Sequence, residues 1–151
     1  VMEAALRTVY RVLEGKEAPA DFYQLRPVRG LSNRKEAEVT IAGKKLRVCI
    51  LYGTAAAEKF LAEDMNGYHF VEVMTCPGGC ISGAGQPDCG SVPVSDVVRK
   101  KRIQSLYQAD EQAERRNSMD NPEIGTIYHE FFKEPLSMLS EKLLHTTYKG
   151  K

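Results

Sequence analysis

An apolar segment, a short helical pattern and a second apolar segment follow one another in the first half of this 151-residue sequence. Leu46 to Tyr52 and Tyr68 to Met74 have the length and residue types of β-strands, and residues 54–61 between them have a helical pattern. Strand, helix and strand at this spacing predict a βαβ unit with parallel strands. Val48 to Leu51 is apolar on both faces, which is typical of a central strand covered by helices.

Further helices and one more strand surround this unit in the sequence. They are an amphipathic helix over residues 2–13 ended by Gly15, a strand over 36–42 that forms a hairpin with the first apolar segment through a turn at 43–44, a charged helix over 94–109, and helices that begin at Pro122 and near Pro135. Thr54 and Asn121 are predicted helix N-caps. We therefore predict an α/β fold with a βαβ-containing, mostly parallel sheet flanked by helices and a helical C-terminal tail.

Composition and charge indicate a globular domain and argue against a disordered, nucleic-acid-binding or membrane-binding protein. Hydrophobic residues make up 42% and charged residues 27% of the chain, which is ordinary for a globular domain and argues against disorder. The net charge of +1 argues against broad attraction to nucleic acid or to an anionic membrane. Without a bilayer-length apolar run or a signal-peptide pattern, we expect a cytoplasmic protein with no membrane partner and no nucleic-acid partner. Because the first residue is Val1 and a helical pattern begins there, we expect a piece of a longer chain.

The four cysteines are unevenly placed at positions 49, 76, 80 and 89. In a reducing compartment a close cysteine pair is more often a metal or redox site than a structural disulfide. Cys49 lies in the middle of a predicted strand, where it is expected to be a buried hydrophobic residue. Cys89 lies in a predicted loop and is expected to be a free thiol or an additional ligand.

The stretch from Glu72 to Pro87 reads EVMTCPGGCISGAGQP and begins at the carboxyl end of a predicted parallel strand. Open α/β sheets place their ligand sites at this edge. If a helix or tight turn starts at Pro77, the sulfurs of Cys76 and Cys80 point to one side. The glycines let the backbone approach a bulky group, and their N–H groups could donate to sulfide or another anionic ligand. They lie at positions 78, 79, 83 and 85.

This layout suits an iron–sulfur cluster held against the main chain, but residue spacing leaves alternatives open. The two cysteines could form a reversible disulfide or half of a zinc site, although zinc sites usually combine two close cysteine pairs. A 4Fe–4S cluster needs four thiolates, so this stretch supplies only part of such a site.

The stretch from Glu72 to Pro87 resembles the third cluster-binding motif of iron-only (FeFe) hydrogenases, which usually reads EVMACPGGCIGGGGQP. The resemblance extends over nearly the whole chain. In the first part of the chain it includes VMEAALR at 1–7 and VRGL at 28–31. In the C-terminal part, Arg102, Leu106-Tyr107 and Asp110 fit an RxxxLYxxD pattern, and Tyr128 with Glu130-Phe131 fits a YxEF pattern. NP at 121–122 and LLHT at 143–146 are further matches. It implies a hydrogenase-like α/β lobe over residues 1–92, with the motif at 72–87, and a small-subunit-like helical region over 93–151.

The resemblance also implies a cofactor and its ligands. In this family the H-cluster joins a 4Fe–4S cubane to a diiron subcluster. By resemblance, Cys76 binds the cubane, Cys80 binds the cubane and bridges to the diiron unit, and Met74 packs against the diiron unit. Cys80 and Met74 are thus the predicted catalytic residues, and Gly78 and Gly79 are predicted to bring the backbone against the cofactor.

The sequence departs from the family pattern near the cysteines and in the C-terminal region. Thr75 replaces the usual Ala, and Ser82 and Ala84 each replace a Gly. Met119 stands where the family often has His, and Thr147 interrupts the common HTHY ending, which here ends at Tyr148. These changes suggest a divergent member with altered activity or a sensory role, although both motif cysteines are retained.

The implied parent activity is the reversible reduction of protons to hydrogen, with ferredoxin or a nicotinamide-linked partner as the electron carrier. The N-terminal remainder of the hydrogenase would supply the other two cubane cysteines and the proton-relay residues. We therefore predict that the isolated chain assembles no H-cluster and is inactive. Two alternatives remain: a hydrogenase-like iron–sulfur protein in cluster assembly or sensing, and a thiol redox module using Cys76 and Cys80. The basic run from Arg99 to Arg102 is predicted to be a solvated helix face rather than a ferredoxin docking site.

Overall fold

The computed structural model describes residues 1–63 and 65–147 as two compact units, Val1–Ala113 and a second that begins at Glu114. The described elements of the first unit are helices α1 (Met2–Glu14), α2 (Thr54–Leu61) and α3 (Asp96–Gln112), strands β1 (Arg34–Ile41), β2 (Lys44–Tyr52) and β3 (Phe70–Met74), and short 3₁₀ helices at Ala20–Tyr23, Arg26–Val28 and Gly79–Ser82. Tyr148, the last of the family landmarks, lies outside the described residues.

The sheet has the order β1-β2-β3. Strand β1 pairs with β2 in antiparallel fashion, and β3 pairs with β2 in parallel, with Glu72 beside Ile50. The predicted hairpin and βαβ unit are confirmed, but the mostly parallel sheet is not, because the hairpin makes one of the two described pairings antiparallel. The hairpin turn lies at Ala42 and Gly43, one residue before its predicted place, with φ of 50° and 72°. A two-residue turn with positive φ at both positions matches the twist of the flanking strands.

Strand β2 is the centre of the core, as its apolar sequence predicts. Cys49 is 0% exposed and packs with Leu51 against Phe60 of α2. The burial predicted for Cys49 is therefore confirmed, and burial also raises the pKa of its thiol. The opposite face of the sheet packs on α1 and the segment that follows it, through Met2, Leu6, Ala18, Phe22, Val28, Ala37, Val39, Ile41, Val48 and Ile50.

Helix ends follow the expected chemistry at Gly15 but not at Thr54. Gly15 ends α1 with a φ of 67°, and its amide donates to the carbonyl of Arg11. The predicted N-cap at Thr54 is wrong: Gly53 is the cap residue and Thr54 is the first helical residue. The chain leaves β2 through Gly53, whose φ of 85° favours glycine and whose amide donates to the carbonyl of Met74 at 2.7 Å.

The second unit contains α4 (Pro122–Ile127), a π-helical turn over Tyr128–Phe132, and α5 (Met138–Leu144). The side chain of Asn121 accepts a hydrogen bond from the Glu123 amide at 3.0 Å, which confirms the predicted cap with Pro122 at the first helical position. Phe132 is buried, and its ring centroid lies 5.3 Å from that of Tyr128. The division of the sequence at residue 92 concerns family regions and stays a prediction. Among the described residues, no helix is both long and apolar enough to cross a membrane.

Candidate metal centre

The carboxyl ends of β2 and β3 lie side by side and position the cysteine loop. Tyr52, the last residue of β2, is the register partner of Met74, the last residue of β3. The hydrogen bond from the Gly53 amide to Met74 fastens the two ends together. The chain then leaves β3 into the loop that contains Cys76 and Cys80, so the loop begins at the sheet edge where α/β proteins bind ligands.

A tight turn separates the two cysteines. Gly78 and Gly79 have φ of 78° and 80°, and the Gly79 amide donates to the carbonyl of Cys76 at 2.9 Å. A 3₁₀ helix follows, and the Gly83 amide donates to the carbonyl of Cys80 at 3.2 Å. Both cysteines are free thiols; Cys76 is half-buried and Cys80 is exposed. The turn therefore holds two accessible thiols on one short piece of constrained backbone.

Gly79 is the point at which the turn touches the sheet. A Cβ atom at this position would lie 2.8 Å from Met74 Sδ and 2.9 Å from Tyr52 Cε1. Both distances are shorter than real Cβ contacts, so a side chain here displaces the ring, the thioether or the backbone. A Cβ at Gly78 would lie 3.3 Å from Ile81 Cδ1, which is a milder restriction. The second glycine is therefore required by space as well as by backbone conformation.

A cavity of about 260 Å³ within the first unit lies against this turn. Met74, Gly78, Gly79 and Cys80 line it, so four of the five predicted site residues share one space, and Cys76 is not among the lining residues. Charged and phenolic side chains form much of the remaining wall: Glu3, Arg7, Lys35, Tyr52, Tyr107 and Asp110.

Lys35 and Tyr52 belong to this site but were not identified from the sequence. The ammonium of Lys35 donates to the carbonyl of Gly30 at 2.7 Å and to the Tyr52 hydroxyl at 3.3 Å. Burial lowers the pKa of Lys35, against the opposite effect of the Glu72 carboxylate. Burial, followed by the charges of Glu72, Tyr107 and Cys80, raises the pKa of Tyr52 to about 12. The alternation over 37, 39 and 41, extended by one step, would have placed Lys35 on the buried face.

Arg102 of α3 binds the cysteine loop from the other side. Its guanidinium donates to the carbonyl of Ile81 at 2.7 Å and to the carbonyl of Pro87 at 2.6 Å. The prediction of a wholly solvated basic face is thus wrong at this residue, because the loop returns over α3 and presents two carbonyl oxygens to it. Arg99 pairs with Asp96, and Lys100 and Lys101 are exposed.

The fourth cysteine lies further along the same loop. The Cys89 thiol contacts the hydroxyl and carbonyl of Ser91 at 3.6 and 3.7 Å, and these contacts lower its pKa. Within residues 1–63 and 65–147, no three His, Cys, Asp or Glu side chains come together to hold a metal ion.

Comparison with known proteins identifies the family in both parts of the chain. Residues 1–84 match the family described as "Iron only hydrogenase large subunit, C-terminal domain", and residues 96–151 match "Iron hydrogenase small subunit". The first match includes the Cys76–Cys80 turn, and the second includes helix α3, whose Arg102 binds the cysteine loop.

Individual relatives agree with this assignment. Iron hydrogenase 1 of Clostridium pasteurianum is 37% identical over 153 residues, covering 99% of this chain and 26% of that protein. The NADP-reducing hydrogenase subunit HndD of Solidesulfovibrio fructosivorans is 40% identical over 152 residues, covering 98% of this chain and 25% of that protein. A solved FeFe-hydrogenase, HydA1 of Chlamydomonas reinhardtii, superposes with a TM-score of 0.72 at 30% identity, over 97% of this chain and 43% of that one.

The family also includes proteins named for another role. A probable cytosolic Fe-S cluster assembly factor of Drosophila melanogaster is 39% identical over 93 residues, covering 60% of this chain and 18% of that protein. The chain spans about a quarter of the length of the curated hydrogenases it matches. From the cysteine turn, the fold and the two family matches together, the chain belongs to the iron-only hydrogenase family and corresponds to the C-terminal part of its members.

Proposed function

We propose that this chain is the C-terminal part of an iron-only hydrogenase that reversibly reduces protons to hydrogen, and that it supplies two of the cysteines that bind the H-cluster. The observation that carries the proposal is the turn from Cys76 to Cys80. Two free thiols lie on a backbone so close to the sheet that Gly79 has no room for a Cβ atom. Soft thiolates beside open glycine backbone are the ligand set that iron–sulfur clusters use.

The proposed residue roles are those that the resemblance to iron-only hydrogenases implies. Cys76 and Cys80 would hold the cubane through their thiolates, and Cys80 would also hold the diiron subcluster. Met74 lines the same cavity as Cys80 and would pack against the diiron side of the cofactor. When bound, the H-cluster supplies the electron and hydrogen chemistry, whereas these residues bind it, orient it and exclude water from it.

The partners of this proposal are the N-terminal remainder of the hydrogenase and an electron carrier. By the family resemblance, the remainder supplies the two further cubane cysteines and the proton-relay groups. The carrier is ferredoxin or a nicotinamide-linked subunit; one relative is named as an NADP-reducing hydrogenase subunit. A cytoplasmic location is part of the same proposal.

A chimeric enzyme tests the proposal directly. The 151-residue chain replaces the matching segment of Clostridium pasteurianum iron hydrogenase 1, and the chimera is matured anaerobically beside the parent enzyme. We expect stoichiometric H-cluster signals by electron paramagnetic resonance and measurable hydrogen production. Cys80→Ser abolishes both, whereas Cys89→Ser, in the same loop but outside the turn, leaves both unchanged. A folded chimera that lacks the H-cluster signal under conditions that load the parent contradicts the proposal.

A second candidate function is that of a hydrogenase-like iron–sulfur protein in cluster assembly. Two observations favour it: the similarity to an assembly factor and the departure at Ser82. The Ser82 hydroxyl is buried and, among the described residues, has no hydrogen-bond partner, so it adds a polar group where the family usually has glycine. If this second function is correct, the chimera should contain the iron and sulfide of a cubane but should produce no hydrogen. A thiol redox module, the third reading, predicts a measurable dithiol potential and an iron content unaffected by Cys80→Ser.

A further inference from the structure

We propose that Lys35 is a positioning residue that acts through Tyr52 to hold the Cys76–Cys80 turn in the geometry that presents Cys80. Its importance for cluster binding rests on the proposed function above. The positioning itself does not, because it concerns contacts that exist in this chain without a cofactor.

The first contact in this series joins Lys35 to Tyr52. Lys35 is 6% exposed, yet its ammonium ends in a polar setting made by the carbonyl of Gly30 and the hydroxyl of Tyr52. The nitrogen also lies 4.4 Å from the centroid of the Tyr52 ring. A buried ammonium that donates to a hydroxyl and faces the same ring restricts that ring more than packing alone does.

The second contact joins Tyr52 to the turn. A Cβ atom on Gly79 would lie 2.9 Å from Tyr52 Cε1, so the ring packs directly against the turn backbone. Gly79 is buried, whereas the next residue, Cys80, is exposed. Any tilt of the ring therefore moves or releases the backbone immediately before the Cys80 thiol.

Charge keeps the lysine in place. Lys35, Ile50 and Glu72 are successive register partners across the three strands, so the two charged side chains leave the same face of the sheet. Glu72 is 9% exposed, and among the described residues neither of its carboxylate oxygens has a hydrogen-bond partner. The charge of Glu72 raises the pKa of Lys35 against the larger effect of burial, so the carboxylate helps to keep the buried ammonium charged. Replacing Lys35 with a neutral residue removes this charge and the hydrogen bond to Tyr52 together.

Hydrogen exchange of the whole 151-residue chain, read by mass spectrometry, measures the positioning. Lys35→Met is expected to speed exchange at the Gly79 and Gly83 amides about tenfold, because their hydrogen bonds are local to the turn. Lys44→Met is the matched control: it removes an exposed lysine from the same hairpin and is expected to change nothing. Unchanged exchange in the turn overturns the proposal, and so does an equal acceleration throughout the sheet.

Two further variants separate positioning from general stability. Tyr52→Phe keeps the ring and removes only the hydroxyl, so it should accelerate exchange in the turn less than Lys35→Met does. When Lys35→Met is combined with Tyr52→Phe, it should accelerate exchange by a smaller factor than it does alone. Lys35→Arg, which restores a charged donor, should return exchange toward the original rate. If the effects of Lys35→Met and Tyr52→Phe on turn exchange are fully additive, or if Lys35→Arg exchanges as fast as Lys35→Met, Lys35 does not act through Tyr52.

The cofactor proposal fails independently of this one. If the turn exchanges faster in Lys35→Met but the chimera binds no iron, the positioning stands and the proposed function falls. If the chimera binds iron and Lys35→Met leaves exchange in the turn unchanged, the proposed function stands and the positioning role of Lys35 falls.

Discussion

At the scale of single residues, the site depends on close approach between backbone and side chains. Gly79 touches both the Tyr52 ring and the Met74 thioether, and Met74 and Tyr52 are themselves partners across β2 and β3. The strand ends thus form a surface on which the cysteine turn rests. The cysteines are held by this surface rather than by a disulfide, since both are free.

Gly79→Ala tests this close approach. A methyl group would meet atoms at 2.8 and 2.9 Å and would require a positive φ of 80° from a residue with a side chain. We expect the free energy of unfolding to fall by about 1–3 kcal/mol and the chimera to lose iron. Chemical denaturation and iron analysis measure the two effects.

Gly85→Ala is the control, because a Cβ there meets nothing within 4 Å and the residue lies in the same motif. It should change stability by less than about 0.5 kcal/mol. Equal effects of the two substitutions would show that the contact with Tyr52 and Met74 is unimportant.

At the scale of elements, α3 is joined to the rest of the first unit mainly through charged and aromatic groups. It exposes Val97 and Leu106, so it has no continuous apolar stripe to bury. Arg102 binds two carbonyls of the cysteine loop, and Arg29 stacks on Tyr107 with its guanidinium carbon 3.8 Å from the ring centroid. The contacts of Arg102 with Ile81 and of Tyr107 with Arg29 link residues of the small-subunit match to residues of the large-subunit match.

The pair between Arg7 of α1 and Asp110 of α3 is the clearest such link. Its two hydrogen bonds measure 2.8 and 3.0 Å, and the Arg7 side chain is 3% exposed against 31% for Asp110. We expect Arg7→Met to lower the free energy of unfolding by about 1–3 kcal/mol, because a bidentate, partly buried charge pair is lost. Urea denaturation followed by circular dichroism measures the change.

Arg11→Met on the same helix is the matched control. In its pair with Glu17, Arg11 is half-buried and Glu17 is exposed, so the pair lies nearer to solvent than that of Arg7 and its loss should cost less than about 1 kcal/mol. If Arg7→Met were no more harmful than Arg11→Met, the helix would have to be held by other contacts.

At the scale of the whole molecule, the chain corresponds to one part of a larger protein. It covers about a quarter of the length of its curated hydrogenase relatives, and both cysteines of its turn are free thiols. On the proposed function, a cubane would take two of its four thiolates from this turn and the other two from the N-terminal remainder. The wall of the cavity beside Cys80 combines backbone, the Met74 thioether and charged groups with apolar side chains such as Ile81 and Leu106.

The isolated chain is therefore expected to assemble no H-cluster and to produce no hydrogen. After anaerobic reconstitution with iron and sulfide, electron paramagnetic resonance and gas chromatography should both show background levels. The matured chimera, which contains the other ligands, is the positive control. A stoichiometric H-cluster signal from the isolated chain would contradict this expectation.

The sequence by itself determined the elements and the family. Alternating and helical periodicity identified the hairpin, the βαβ unit and the burial of Cys49, since these depend on local patterns. Asn121 and Gly15 marked helix ends by their own backbone and side-chain chemistry. Thr54 failed as a cap because the sharp turn after β2 placed Gly53 at that position.

Only the tertiary structure decided what holds the site. The contacts of Tyr52 with Lys35 and Gly79 and of Arg7 with Asp110 join residues 17, 27 and 103 positions apart, and no local pattern encodes such pairs. They exist because strand register aligns Lys35, Ile50 and Glu72 and because the chain returns over the ends of β2 and β3. Periodicity shows which face of an element is buried, but the neighbours on that face follow from register and topology, which are properties of the folded chain.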